Sequence, residues 1–253
     1  MSKHSNTLSV SNHKGGVGKT TSAVNIAAGL HALGYRVLLI DMDPQANLSQ
    51  SLGITNPQRS IYTALRGQSR LQPILIKEGL DLVPSTLDLS GAEVELSAEA
   101  GREFILSGLI DDLPERYQFV IIDTPPSLGL LTLNAFTASE GVIIPLQAQY
   151  LALQGLTKLT EVIDKVRQRL NKRLHLSGVL ITQYDRRKIL SRNIEAAIRQ
   201  HFGELVYQTV IRDNVALAEA PAQAADIFTY QPDSNGAKDY KALCSEIIQR
   251  SKL

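Results

Sequence analysis

The sequence predicts an α/β fold, a doubly wound, mostly parallel sheet flanked by helices. Three observations carry that expectation. Short apolar runs alternate with helix-length stretches along the whole chain. Several of the runs are solid aliphatic segments without polar alternation, as strands covered on both faces require. No repeat, low-complexity segment or Pro/Ser-rich linker interrupts the 253 residues, so one domain over residues 1–253 is expected.

In chain order, strands are expected at 7–10, 36–40, 80–83, 119–122, 141–145, 177–181 and, briefly, 206–210. Between them, 20–33 reads as a helix with Val24, Ala27, Ala28 and Leu30 on an apolar side, ended by Gly34. Residues 153–170 and 191–202 are amphipathic. Residues 239–250 close the chain with Tyr240, Leu243, Ile247 and Ile248 in one stripe.

Composition narrows the function classes. At 43% hydrophobic the chain can bury a core, and it contains no run of about 18 apolar residues that would cross a bilayer. The N-terminus lacks the apolar stretch of a signal peptide, so a cytoplasmic location is expected. A single cysteine, Cys244, excludes an internal disulfide and a thiol-rich metal cluster. Net charge is +1, but it is unevenly spread: residues 1–150 carry 10 basic and 14 acidic groups, residues 151–212 carry 12 and 5, and residues 213–253 carry 4 and 6. A basic middle segment fits either a solvated helix face or a nucleic-acid footprint.

Chemistry concentrates in three motifs. SNHKGGVGKTT, residues 11–21, follows a short strand and opens a helix, the setting of a phosphate-binding loop and so of a P-loop NTPase fold. Gly15, Gly16, Val17 and Gly18 wrap backbone N–H groups around phosphate oxygens. Lys19 is expected to reach the β- and γ-phosphates, Thr20 to ligate Mg²⁺, and Thr21 to lie near the α-phosphate. The usual pattern asks for glycine at 13, where His13 stands, and does not ask for Lys14. RVLLIDMDPQAN, residues 36–47, ends a strand in Asp41 and Asp43, both expected to face the nucleotide, one holding Mg²⁺ through water and the other orienting the attacking water. FVIIDTPPS, residues 119–127, ends in Asp123, a second Mg²⁺ ligand directly or through water, followed by a stiff Thr124-Pro125-Pro126 turn placed to sense the γ-phosphate.

Together, KGGVGKTT, DMDPQ and IIDTPP, with the later segments GVLITQYD (178–185), Glu219-Ala-Pro221 and GAKDY (236–240), resemble the ParA/MinD family of deviant Walker ATPases, and the ParA/Soj branch in particular. The resemblance runs through nearly the whole chain. It implies that Lys14 is the family's signature lysine, contacting the nucleotide held by the other subunit of an ATP-bound homodimer, in the manner of an arginine finger. It implies that Asp43 positions the hydrolytic water, with Lys14, Lys19 and Asp43 as the catalytic set, and that ATP hydrolysis is slow and partner-stimulated. It further implies non-specific DNA binding by the ATP dimer, on the nucleoid, and release by a ParB-like centromere-binding protein during plasmid or chromosome segregation.

Arg186, Arg187, Lys188, Arg192, Arg199 and Arg212 are the expected DNA-facing cations, since such binding neutralises phosphates. Residues 211–217 depart from the more basic family pattern, with Asp213 and Ala216 at or near places where positive charge is common. Thr182 stands where relatives often carry Asn, so no base-contacting residue is assigned. The larger relatives' helix-turn-helix ahead of the loop is not expected here. Competing readings are a MinD-like membrane-associated ATPase, which needs a basic amphipathic C-terminal helix, and a relative that positions a protein cargo. The 239–250 helix carries Asp239 and Glu246 among its basic residues, so packing on the core is its expected role and a membrane partner is not expected. Metabolic relatives with an inter-subunit iron–sulfur cluster are excluded by the lone cysteine.

Overall fold

The computed structural model describes residues 6–114, 116–149 and 152–251. Seven strands form one sheet: β1 (Asn6–Val10), β2 (Val37–Asp41), β3 (Ile74–Lys77), β4 (Leu80–Val83), β5 (Phe119–Asp123), β6 (Gly141–Gln147) and β7 (His175–Thr182). Their order is β3-β4-β2-β5-β1-β6-β7, and every pair is parallel except β3 with β4. This is the doubly wound, mostly parallel sheet flanked by helices of a P-loop NTPase. Parallel pairing brings the carboxyl ends of β1, β2 and β5 to one edge, where such sheets bind ligands.

Alternate residues of the central strands feed separate cores. Leu8, Val10, Leu39 and Ile121 pack beneath the helices Lys19–Ala32 and Asn235–Arg250, while Leu38, Ile40, Val120 and Ile122 pack on the opposite face. Every residue of β1, β2 and β5 is buried, which explains the unalternated apolar runs. A third core joins β6 and β7 to the helices Ala152–Arg169 and Ile189–Phe202 through Leu159, Ile163, Val166 and Ile198. The last helix buries Tyr240, Leu243, Cys244 and Ile247 against the body of the protein, the expected packing role. Among the described residues no helix is long and apolar enough to cross a membrane.

The structure corrects two strand expectations. β3 was not anticipated: it is a short antiparallel edge strand, half-exposed, and four residues of ILIK give no periodicity to read. The run 206–210 is not a strand; it makes one isolated bridge, Val206 to Val179. The Tyr207 N–H and Ile211 N–H reach β7 carbonyls at 3.0 and 2.8 Å, but between them the Gln208 and Thr209 N–H groups donate to the Glu246 carboxylate at 2.8 and 3.1 Å. A side chain has replaced the ladder. Glu246→Ala is therefore expected to destabilise the fold by about 1–3 kcal/mol, because two backbone donors lose an ionised acceptor. A urea midpoint equal to that of wild type would contradict it.

Candidate functional site

The loop after β1 is shaped by its glycines and by its neighbours. Gly16 and Gly18 take φ of +73° and +83°, left-handed backbone open to glycine, which turns their amides inward before the helix Lys19–Ala32 begins. The Gly16 carbonyl accepts from the side-chain amides of Gln147 and Gln183 at 3.0 and 3.1 Å, and Thr182 donates to the Val17 carbonyl at 2.8 Å. Gln183 itself holds φ +49°, a strained setting that clusters at functional sites. β6 and β7 thus brace the loop from behind. The bracing role of neither glutamine can be read from the sequence, because each lies more than 130 residues from the glycine it holds.

Gly15, Gly16, Gly18, Lys19, Thr20 and Thr21 line a cleft of about 820 Å³. Asp43, Gln45, Asn47 and Pro126 line it as well, as do the apolar Leu217, Pro221, Ala222 and Ala225. Those apolar residues come from the 217–225 stretch, which contains the Glu219-Ala-Pro221 segment. Val17 faces away from the cleft and is buried, contributing its backbone only.

Charge is concentrated at the strand ends. β2 and β5 pair in register so that Asp41 stands beside Asp123. Asp123 is buried; its Oδ2 accepts from the Thr20 hydroxyl at 2.6 Å, and its Oδ1 has no hydrogen-bond partner among the described residues. Burial, reinforced by the Asp41 and Asp43 charges, pushes its carboxyl well above the usual range. An orphaned, desolvated carboxylate oxygen beside a threonine hydroxyl at a phosphate loop is a site short of a positive charge. Mg²⁺ fits it, with Thr20 and Asp123 as the hard oxygen donors the ion prefers.

Lys19 is also buried, and its ammonium donates to the Lys14 carbonyl at 3.2 Å, closing the loop on itself. Burial lowers its pKa, while Asp123 and Asp43 oppose that shift. Asp43 lines the cleft and accepts the Gln45 N–H at 3.0 Å. The turn that presents it includes Ala46 at φ +53°, another non-glycine residue in left-handed backbone.

Asp41 departs from expectation. It does not line the cleft; it is buried and accepts from the Ser49 N–H and hydroxyl at 2.9 and 2.7 Å and from the Asp43 N–H at 3.1 Å. Burial raises its carboxyl to about 6 against these hydrogen bonds. Its work is to fasten the strand end to the helix Asn47–Ser51, and so to aim Asp43. Lys14 also stands apart: its side chain is exposed, outside the cleft, with Nζ donating to Gln149 Oε1 at 2.5 Å.

The expected DNA-facing cations separate into two groups. Arg186 and Lys188 are exposed, and no ion pair engages them among the described residues. Arg187 pairs with Asp185 at 3.0 Å, and Arg192 donates to the Arg186 carbonyl at 2.9 Å. Arg199 is half-buried, held by Glu195 at 2.8 Å and the Tyr207 carbonyl at 3.1 Å. Arg212 is clamped bidentately by Asp239, with its shortest contact at 2.6 Å. Both arginines hold the outer edge of the fold together. Ala216 is buried, which gives a physical reason for the missing positive charge there.

Comparison with known proteins agrees with this architecture. The family model described as an AAA domain matches residues 5–176. The chain is 46% identical over 243 residues to the chromosome-partitioning ATPase Soj of Thermus thermophilus, covering 96% of this chain and 95% of that protein. It is 43% identical over 252 residues to the chromosome partitioning protein ParA of Caulobacter vibrioides, covering 97% and 94%. Among solved structures, cobyrinic acid a,c-diamide synthase from Mycobacterium smegmatis, with bound ATP analog and magnesium, superposes with a TM-score of 0.86 at 36% identity, covering 98% of this chain and 96% of that one. Similarity of this extent, carried over nearly the full length of both partitioning proteins, means that the chain belongs to the ParA/Soj family of chromosome- and plasmid-partitioning ATPases.

Proposed function

We propose that this protein is a single-domain ATPase that binds ATP with Mg²⁺, dimerises around it, binds DNA without sequence preference, and releases it when a ParB-like partner stimulates hydrolysis. The observation that carries the reading is the placement of the two lysines. Lys19 is buried under the cleft with the loop folded over it, whereas Lys14, five residues earlier, holds its charge on the outside. A cation kept outside its own cleft is suited to a nucleotide bound by a second copy, which makes the γ-phosphate part of an interface.

In the proposed reaction the loop amides and Lys19 bind the β- and γ-phosphates, and the Thr20 hydroxyl and Asp123 hold the metal. Mg²⁺ supplies neutralisation of the phosphate charge. Asp43, aimed by Asp41, orients the water for in-line attack on the γ-phosphorus, and Pro126 keeps the 124–127 turn against the cleft. Lys14 of the second copy stabilises the charge that develops on the transferred group. The exposed Arg186 and Lys188, at the end of β7, are the cations best placed to meet DNA phosphates, with Arg187 and Arg192 beside them; the nucleoid is the location this implies. The buried apolar stripe of the last helix argues against the membrane-bound alternative.

The test is binding of a random-sequence duplex by the Asp43→Ala variant, with ATP and then ADP, across a salt series. Binding is expected with ATP only, and to weaken by about 10³-fold or more between 50 and 200 mM salt if roughly six phosphates are neutralised. Lys14→Ala, introduced in addition, is expected to leave nucleotide binding in place and abolish both dimer and DNA complex. Equal binding in ATP and ADP, or an unchanged dimer without Lys14, would overturn the reading.

A further inference from the structure

The turn that faces the γ-phosphate is held at both ends, and its downstream anchor comes from an unexpected place. Upstream, Asp123 sits on Thr20 and the Thr124 hydroxyl donates to the Val10 carbonyl at 3.1 Å. Downstream, the chain enters the helix Leu130–Ala138 through Gly129, which has no side chain with which to cap it. The cap is supplied by Glu93, from the short helix Ala92–Glu95, whose Oε1 accepts the Leu131 N–H at 3.2 Å. Glu93 lies directly over Gly129, so that any side chain at 129 would collide with its carboxylate. A carboxylate at this position satisfies an otherwise open amide and meets the positive end of the helix.

The anchor is transmitted to the cleft by a short path. The first turn of the capped helix carries Thr132, whose hydroxyl donates to the Ser127 carbonyl at 2.6 Å, and Ser127 follows Pro126 in the cleft wall. We propose that Glu93 is a positioning residue for ATP hydrolysis: it fixes the helix that fixes the 124–127 turn, and with it the geometry around the γ-phosphate. This inference rests on the ATPase reading above. It concerns a group that touches neither nucleotide nor metal and acts through Leu131 and Thr132.

Three variants test it. Glu93→Ala removes the acceptor; Glu93→Gln keeps an acceptor oxygen without the charge; Gly129→Ala leaves Glu93 in place but drives its carboxylate off. Glu93→Ala and Gly129→Ala are expected to lower kcat by about tenfold, since small misplacements of reacting groups carry costs of that order, with the KM for ATP changed less than about threefold. Glu93→Gln is expected to recover most of the rate. Glu95→Ala, on the same short helix as Glu93, is the control: it breaks the 2.9 Å pair with Arg66 without touching Leu131, and should leave kcat unchanged. The second readout is amide hydrogen exchange in the ADP state, where Glu93→Ala should accelerate exchange across 127–133 by about tenfold and leave the β-strands unchanged, and Glu93→Gln should not. Wild-type kcat in Glu93→Ala, or equal losses in kcat and KM, or faster exchange throughout the protein, would overturn the proposal. If the wild-type protein itself fails to hydrolyse ATP, the ATPase reading falls, and the exchange difference between Glu93→Ala and Glu93→Gln still decides whether the cap organises the turn.

Discussion

Replacing Lys19 by Ala is expected to abolish nucleotide binding at working concentrations, with affinity for ATP reduced by about 10²-fold or more. Among the described residues the ammonium is the one basic side chain lining the cleft, and it stands within electrostatic reach of two carboxylates, Asp43 and Asp123. Removing it deletes charge-assisted hydrogen bonds to phosphate, each worth roughly 1.5–3 kcal/mol. It also leaves those acids facing an anionic ligand with less compensation. The Lys14 carbonyl loses its 3.2 Å contact as well, so the loop becomes less well closed. Lys19→Arg should not restore binding, because a planar guanidinium does not fit a space built around a point charge. Isothermal titration with ATP and ADP measures this directly. An affinity within threefold of wild type would show that the loop amides alone hold the phosphates, and Lys19 would lose its assigned role.

The second large effect concerns Asp43. Its replacement by Ala should lower kcat by about 10²-fold, the lower range for a group that orients or deprotonates a nucleophile, while ATP affinity stays within about threefold. The split follows from position. Asp43 lines the cleft from the turn after β2, and the glycine loop proposed to hold the phosphates lines it from the turn after β1, so in that reading binding and chemistry draw on different elements. A single-turnover assay with prebound ATP separates the two. Wild-type turnover would transfer the water-orienting role elsewhere. Asp41→Ala gives the contrasting outcome, a loss of fold stability along with rate, because its carboxylate serves Ser49 and the Asp43 amide and not the cleft.

Much of this was legible in the sequence because it is local. A strand, a glycine turn and a helix in succession define a phosphate loop within 15 residues, and each of its side chains has a place set by the backbone before it. The solid apolar runs announced a sheet buried on both faces, and the strands of that sheet end in the acids Asp41 and Asp123. The helix ending near Gly34 and the terminal helix were found for the same reason: their periodicity is a property of consecutive residues.

What the tertiary structure decided is which of the candidate groups are free to act. The residues alone leave both Asp41 and Asp43 facing the nucleotide, with only the family resemblance favouring Asp43; in the fold Ser49 claims the first and leaves the second to the cleft. Arg199 and Arg212 look like exposed cations on paper, yet Glu195 and Asp239 engage them, which leaves Arg186, Lys188 and Arg192 without an acidic partner among the described residues. The stretch 206–210 reads as a strand until Glu246, from the last helix, takes two of its amides. Gln147 and Glu93 carry no local signature, and Gln183 stands in a quoted segment without a role, because their work is done on residues distant in the chain. Sequence pattern determines which backbone forms and which side chains are chemically able. Partner choice among those side chains depends on distances between segments far apart in the chain, and only the packed fold sets them.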